Sequence, residues 1–354
     1  MLIRSHDRNT NNDTGRINMP IHKYFPVTDI APKAWSAMCQ LLGGEDRINE
    51  YVLHLLSLEY PLPSHCHPKH QPFPPFLLLS LLLLPPSLPP SHNSQHPTPT
   101  PDQPPQLTPP SSASSWKDSF IVNLGIPSGS TSPTPPQQLT NWHVDGDFFV
   151  HYLDSPEQAL LVIPLWTDIV PSGGGTVICP PGIPLIAQHL FAHPEGVSSR
   201  MTPRAQNPTF ASEGADLSFY CDIARGMPDE AFVEVTGEVG DVYLLHPLML
   251  HSASHNALRR VRVITNPPVS VKEAFNFDRE DGAYSVVERK TLRALGRERL
   301  EGWRITRERE RVVPGSTKVK EEMKRLEDER LERARRMREG GAVGVKGAEV
   351  GVKA

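Results

Sequence analysis

Proline is spread so unevenly along this chain that it decides where folded structure can form. Roughly half of the 38 prolines fall between Pro61 and Pro110. Proline fixes φ and has no N–H to give to a helix or a sheet ladder. The same stretch has two charged residues, Lys69 and Asp102, and is otherwise rich in Ser, Leu, Gln and His. Such a composition predicts a disordered insertion rather than a packed element. The chain then divides into an N-terminal helical flank over 1–60, a Pro/Ser/Leu-rich insertion over 61–115 and a β-rich core over 116–275. A C-terminal helical flank over 276–313 and a charged helix with a disordered tail over 314–354 follow.

The core is a run of short strand signals punctuated by Gly and Pro. Trp116 to Leu124 and Val144 to Tyr152 read as strands, and Ala159 to Trp166 is a continuous apolar run that predicts a buried one. Gly175 to Cys179, Ala231 to Val235, Gly240 to His246 and Arg260 to Thr265 complete the set. Helical spacing appears at Ile30 to Leu42, Arg47 to Leu58, Leu185 to Phe191 and Tyr284 to Leu295, the last with Gly296 just past its end. Lys318 to Glu339 mixes Glu, Lys and Arg three and four apart, predicting an exposed helix ended by Gly340-Gly341. Many short strands in one region predict a mainly β fold, a sandwich or jelly roll with flanking helices.

Bulk properties exclude several functions. A formal net charge of −4 over 354 residues offers no electrostatic footprint for nucleic acid. Cys39, Cys66, Cys179 and Cys221 form no C-x-x-C pair, which reads as free thiols in a reducing, cytoplasmic setting. Met1 to Asp7 has no apolar secretory core, and the run Phe76 to Leu84 is about half of what a membrane-spanning helix needs. Gly351 to Ala354 is not a peroxisomal tripeptide. A small-molecule substrate, with no nucleic-acid or membrane partner, is the expectation. The charged C-terminal helix is the one candidate surface for a protein partner.

The chemistry concentrates in Asn141-Trp142-His143-Val144-Asp145-Gly146-Asp147-Phe148-Phe149. Side chains two apart on a strand share a face, so His143 and Asp145 can reach one ion. Asp147 shares that parity and competes with Asp145, which is preferred because the His-x-Asp spacing lets both groups reach one ion without bending the strand. A second histidine from another strand would complete a 2-His-1-carboxylate triad, the donor set of non-haem Fe(II) oxygenases, which leaves metal positions open. His246, His251 and His255 all lie in the right region. Pro247 ends or bends the strand after His246, which also fits a hydrogen-bonded structural residue, and His255 fits a surface loop. Arg260 and Arg262 alternate with Val261 and Val263, so either could hold a carboxylate through a bidentate guanidinium. Thr176, after three glycines, is placed either to donate to such a carboxylate or to end a turn. Trp142, Phe148 and Phe149 fit either a substrate pocket or the core.

These residues resemble the phytanoyl-CoA dioxygenase family of Fe(II)/2-oxoglutarate-dependent oxygenases, its fungal members most of all. The likeness rests on W-H-V-D-G-D-F-F at 142–149, D-S-P-E-Q at 154–158, G-G-G-T at 173–176, G-D-V-Y-L-L-H-P-L-M-L-H-S-A-S-H-N at 240–256 and R-V-I-T-N-P-P-V-S at 262–270. It covers roughly Trp116 to Leu295, and the Pro-rich insertion lies outside the family pattern. The resemblance implies a double-stranded β-helix, a cupin-like jelly-roll barrel, holding Fe(II) on His143, Asp145 and His251. It selects His251 over His246, and Arg262 over Arg260 as the anchor of 2-oxoglutarate. It also implies O₂ as the oxidant and hydroxylation of an organic substrate with release of succinate. Related halogenases carry a small residue at the carboxylate position, so Asp145 argues for hydroxylation. Two other classes share part of the pattern: a metal-binding cupin-like protein without oxygenase activity, which would not require Arg262, and a catalytically degenerate interaction protein.

Overall fold

A computed structural model describes residues 14–16, 23–49, 115–125, 132–210, 216–313 and 316–343. The chain enters through β1 (Thr14–Arg16) and β2 (Tyr24–Pro26), then α1 (Val27–Ile30) and α2 (Pro32–Leu42). Pro32 starts α2 with a preset φ, and Gly43 ends it in the left-handed region at φ 89°. Ala34, Met38 and Leu42, four apart, form the buried stripe of α2. A 3₁₀ turn, Glu45–Arg47, follows. The expected helix over Arg47 to Leu58 is absent from its described part: Ile48 is extended and bridges Val271. The remainder of that helix, and nearly all of the 61–115 insertion, lie outside the described residues.

After the insertion the expected strand over Trp116 to Leu124 is split into β3 (Ser115–Lys117) and β4 (Ile121–Asn123). The halves serve different partners, β3 pairing with β2 and β4 with β1. Next come β5 (Leu160–Pro164), β6 (Thr176–Cys179), α3 (Gly182–Ala192), α4 (Ser218–Arg225) and β7 (Val233–Glu234). β8 (Val242–Leu245), β9 (Leu250–Ala253), β10 (Arg262–Ile264), β11 (Pro268–Val269), α5 (Val286–Ala294) and α6 (Ser316–Val343) complete the order. α6 runs through Gly340-Gly341 rather than stopping there. Val144 to Tyr152, expected as a strand, is instead a turn with isolated bridges, because Gly146 at φ 124° breaks the extended run. A side chain at Gly146 would meet the Phe149 ring at 2.5 Å.

Antiparallel pairing groups the strands in two layers. β4 pairs β10, β5 pairs β8 and β11, and a bridge from Leu165 to Ile264 joins the two groups. The pairs Leu165–Ile264, Leu161–Pro268 and Leu160–Val269 keep one register, so β10 and β11 are parts of a single extended run beside β5. The second layer is β7-β6-β9, with His143 bridged to His251 on its edge. The β4-containing group and the β7-β6-β9 group are joined by side-chain bonds: Asn123 of β4 donates Nδ2 to the Ser254 carbonyl at 3.1 Å, and Asn256 donates Nδ2 to the Asn123 carbonyl at 3.0 Å.

All five residues of β5 are buried, as its unbroken apolar run requires of a strand covered on both sides. α2 packs on β8 and α5, and α3 packs on α5 and α4. The chain is mixed α and β with several small antiparallel sheets, which corrects the expectation of a mainly β fold; no closed barrel forms among the described residues. Among those residues no helix is long and apolar enough to cross a membrane. Cys39, Cys179 and Cys221 are free thiols.

Candidate metal centre

The turn at Gly146 follows the two candidate ligands His143 and Asp145. Trp142 and Val144 point into the core: Trp142 is fully buried, packs on Phe232 and donates its indole N–H to the Pro136 carbonyl at 2.9 Å. His143 and Asp145 take the other side. His143 and His251 exchange both backbone hydrogen bonds, each 3.0 Å, so they are direct cross-strand partners with side chains on one face. Their rings lie 4.3 Å apart between centroids at a 50° tilt.

Asp145 Oδ1 sits 3.5 Å from His143 Nε2 and 3.6 Å from His251 Nε2. Among the described residues these three are the group whose ligand atoms all lie within 4.8 Å of one another. The opposite ring nitrogens are already committed. His143 Nδ1 donates to the Asn141 carbonyl at 2.7 Å and His251 Nδ1 to the Met249 carbonyl at 2.9 Å. A carbonyl only accepts, so each Nδ1 carries a proton and each Nε2 is the ring nitrogen left to face Asp145 or an ion. This is the outer support that metal-bound imidazoles require.

Electrostatics agree with the geometry. Burial alone would raise the Asp145 carboxyl, but hydrogen bonds and charge from His143 and His251 hold it well below the carboxylate range. Burial opposes a charge on His251, yet Asp145 raises its pKa above the ordinary value. The side chain of His143 is 28% exposed and that of His251 is 7% exposed, so the cluster opens to solvent on the His143 side.

The alternatives that the sequence leaves open separate cleanly. Asp147 is exposed beyond the turn and does not join the cluster. His246 accepts from the Leu248 N–H through Nδ1 and donates Nε2–H to Thr291 Oγ1 at 3.0 Å, so both nitrogens are spent. Burial pushes its pKa down to about 3. His255 contacts the Ser132 carbonyl at 3.3 Å, away from the cluster. Arg260 and Arg262 do not share an environment: Arg259, at φ 55°, sits in a turn, Arg260 is exposed, and only Arg262 enters β10.

Arg262 is 1% exposed and reaches across the layers, donating Nε to the Gly174 carbonyl at 2.8 Å and Nη1 to the Ile121 carbonyl at 3.5 Å. No carboxylate among the described residues pairs with it, and burial lowers its pKa to about 10. Gly174 has to be glycine: φ is 80°, and a Cβ would lie 2.7 Å from Asn123 Nδ2 and from Asn256 Cβ. Thr176 is buried at the head of β6, between Gly174 and Ile178, the cross-strand partner of His251. It therefore shares the face of the triad.

Phe149 is buried and stacks on His151 at 4.4 Å, while Phe148 is half-buried. Sequence reasoning passed over His151. It is buried, bonds through Nε2 to the Gly146 carbonyl, and burial lowers its pKa to about 4. It also passed over Asn266, whose Nδ2 donates to Asp145 Oδ2 at 3.2 Å. No protein-family model, curated protein or solved structure matches the chain.

Proposed function

We propose that the chain is an Fe(II)- and 2-oxoglutarate-dependent dioxygenase of the phytanoyl-CoA dioxygenase type, hydroxylating a small organic substrate from a double-stranded β-helix scaffold. The observation that carries the reading is the convergence of two imidazole nitrogens and one carboxylate oxygen within 4.8 Å, with both Nδ1 atoms tied to carbonyls. Two imidazoles and one carboxylate on one side of an ion suit Fe(II) with open positions. Two antiparallel layers tied across by Asn123, Asn256 and Arg262 support the jelly-roll scaffold.

Bound Fe(II) and 2-oxoglutarate would supply oxidation of a C–H bond by O₂, with succinate and CO₂ as co-products. The protein contributes position and charge. His143 and His251 offer neutral nitrogens, and Asp145 offers one anionic oxygen. A divalent ion held this way keeps one net positive charge, which favours an anionic chelating co-substrate. Arg262 supplies the planar, bidentate donor that the far carboxylate of 2-oxoglutarate needs. Thr176 offers a hydroxyl on the same face. The opening beside His143 is the approach for substrate. A buried guanidinium without a carboxylate favours this reading over a metal-binding protein lacking oxygenase activity, for which Arg262 has no task.

The test is untargeted. Chain reconstituted with Fe(II) under anaerobic conditions is mixed with 2-oxoglutarate and cell extract, and O₂ is admitted. The reading requires succinate to form and one extract component to gain the mass of one oxygen. Unchanged 2-oxoglutarate in a sample that binds iron would overturn it.

A further inference from the structure

We infer that Asn266 is a positioning residue for the metal centre: its carboxamide holds Asp145 Oδ2, so that Oδ1 alone is presented to the ion. The inference rests on the metal reading above and deepens it. Oδ1 faces both imidazoles at 3.5 and 3.6 Å, while Oδ2 accepts Asn266 Nδ2 at 3.2 Å. A free carboxylate can bind an ion through one oxygen or two. With Oδ2 engaged, Asp145 binds through one, and a further coordination position stays open for a co-substrate.

The backbone makes Asn266 a rigid support. It precedes Pro267, and a residue before proline is confined to extended conformations. It lies on the run between β10 and β11, whose register beside β5 is fixed on both sides by Leu165–Ile264 and Leu161–Pro268. Four residues along an extended strand place Asn266 on the same face as Arg262. One strand therefore carries both the buried guanidinium and the amide that aims the metal's carboxylate. Only a donor serves here, and a carboxamide N–H₂ donates without adding a charge beside the ion.

The experiment titrates the full-length metal-free chain with Co(II), and anaerobically with Fe(II), by calorimetry. The Co(II) ligand-field spectrum and the melting temperature of the metal-free chain are recorded alongside. N266A and near-isosteric N266L are compared with wild type. N266L keeps the test valid should truncation unfold the chain. The expected result is affinity reduced about 10- to 100-fold, the cost usual for removing an outer support of a ligand. It includes an altered Co(II) spectrum and a melting temperature close to that of wild type. Wild-type affinity and spectrum in both variants would overturn the role of Asn266 while leaving the metal centre intact, and so would a lowered melting temperature with unchanged affinity. A wild-type chain that binds neither ion would overturn both.

Discussion

Two arginines, half-buried Arg47 and buried Arg262, are treated in opposite ways. Near the N-terminal flank, Arg47 donates Nη1 and Nη2 to the two oxygens of Glu288, at 3.2 and 3.0 Å. Glu288 is 0% exposed and also accepts the Asn276 and Ser285 N–H groups at 2.9 and 2.7 Å. Burial would raise its carboxyl, yet these donors lower it. Ser285 returns a bond from Glu288 N–H and so closes a capping box at the start of α5. Both oxygens of Glu288 are used within the chain. At Arg262 the guanidinium is deeper still, and its described partners are two carbonyls and no acid. A buried charge is costly unless it is paired. The first constellation is architecture. The second leaves a buried guanidinium without an acid among the described residues. The histidines repeat the contrast, since His246 spends both nitrogens on its neighbours, while His143 and His251 each keep one aimed at Asp145.

Breaking the closed constellation carries the largest effect. E288A leaves half-buried Arg47 and the Asn276 and Ser285 N–H groups without their acceptor and removes one half of the capping box, so chemical denaturation should show a loss of about 3–5 kcal/mol. Metal affinity of the folded fraction should be unchanged. A loss below about 1 kcal/mol would mean that the clasp is solvated and that the contrast with Arg262 does not hold.

Acid titration reads the spent histidines. Unfolded, an imidazole takes a proton below about 6.5; folded, His151 resists to about 4 and His246 to about 3. Below 6.5 the unfolded chain binds more protons, so stability is complete above that pH and falls as pH drops toward 4. For His151 the difference is on the order of 3 kcal/mol at about 1.36 kcal/mol per pH unit. His251 runs the other way in the metal-free chain. Asp145 raises its pKa, so its contribution is present below 6.5 and is lost as pH rises through the raised value. Melting curves of H246N between pH 7 and pH 4 should be flatter than those of wild type, and an identical slope would count against a buried neutral His246.

The open constellation should respond most gently. R262M removes donors to two carbonyls but relieves an unpaired buried charge, so the stability of the metal-free chain should change little. Stabilisation by added 2-oxoglutarate should weaken about 10- to 100-fold in affinity, from about 1.5–3 kcal/mol for hydrogen bonds to a charged group. A thermal-shift titration measures both. If wild type and R262M respond equally to 2-oxoglutarate, the anion binds elsewhere.

Much of the site is legible in the residues because its spacing is local. His143-x-Asp145 declares a shared face, and Pro247 separates His246 from the strand that carries His251. What the sequence hides is long-range. Strand parity cannot choose between Asp145 and Asp147, because the choice is made by Gly146, whose positive φ turns the chain and leaves Asp147 in solvent. Alternation from Arg260 to Val263 implies two equivalent arginines, but the turn at Arg259 starts the strand later. Asn266 had a signal, an even offset from Arg262, but no residue type marks a strand amide as a partner for an aspartate 121 positions away. The helices that were readable, α2, α3 and α5, have apolar spacing and end signals of their own. The strand over Trp116 to Leu124 divides because its halves pair with different strands, which is a property of the assembled sheets.

In the proposed function one divalent ion binds on His143, Asp145 and His251. Calorimetric titration of the metal-free chain with Co(II), repeated for H143A, D145A and H251A, tests it most directly. One ion should bind per wild-type chain, and each variant should lose that binding, with melting temperatures that show all four proteins folded. Equal binding by wild type and the three variants, or no binding by a folded wild-type chain, would contradict it.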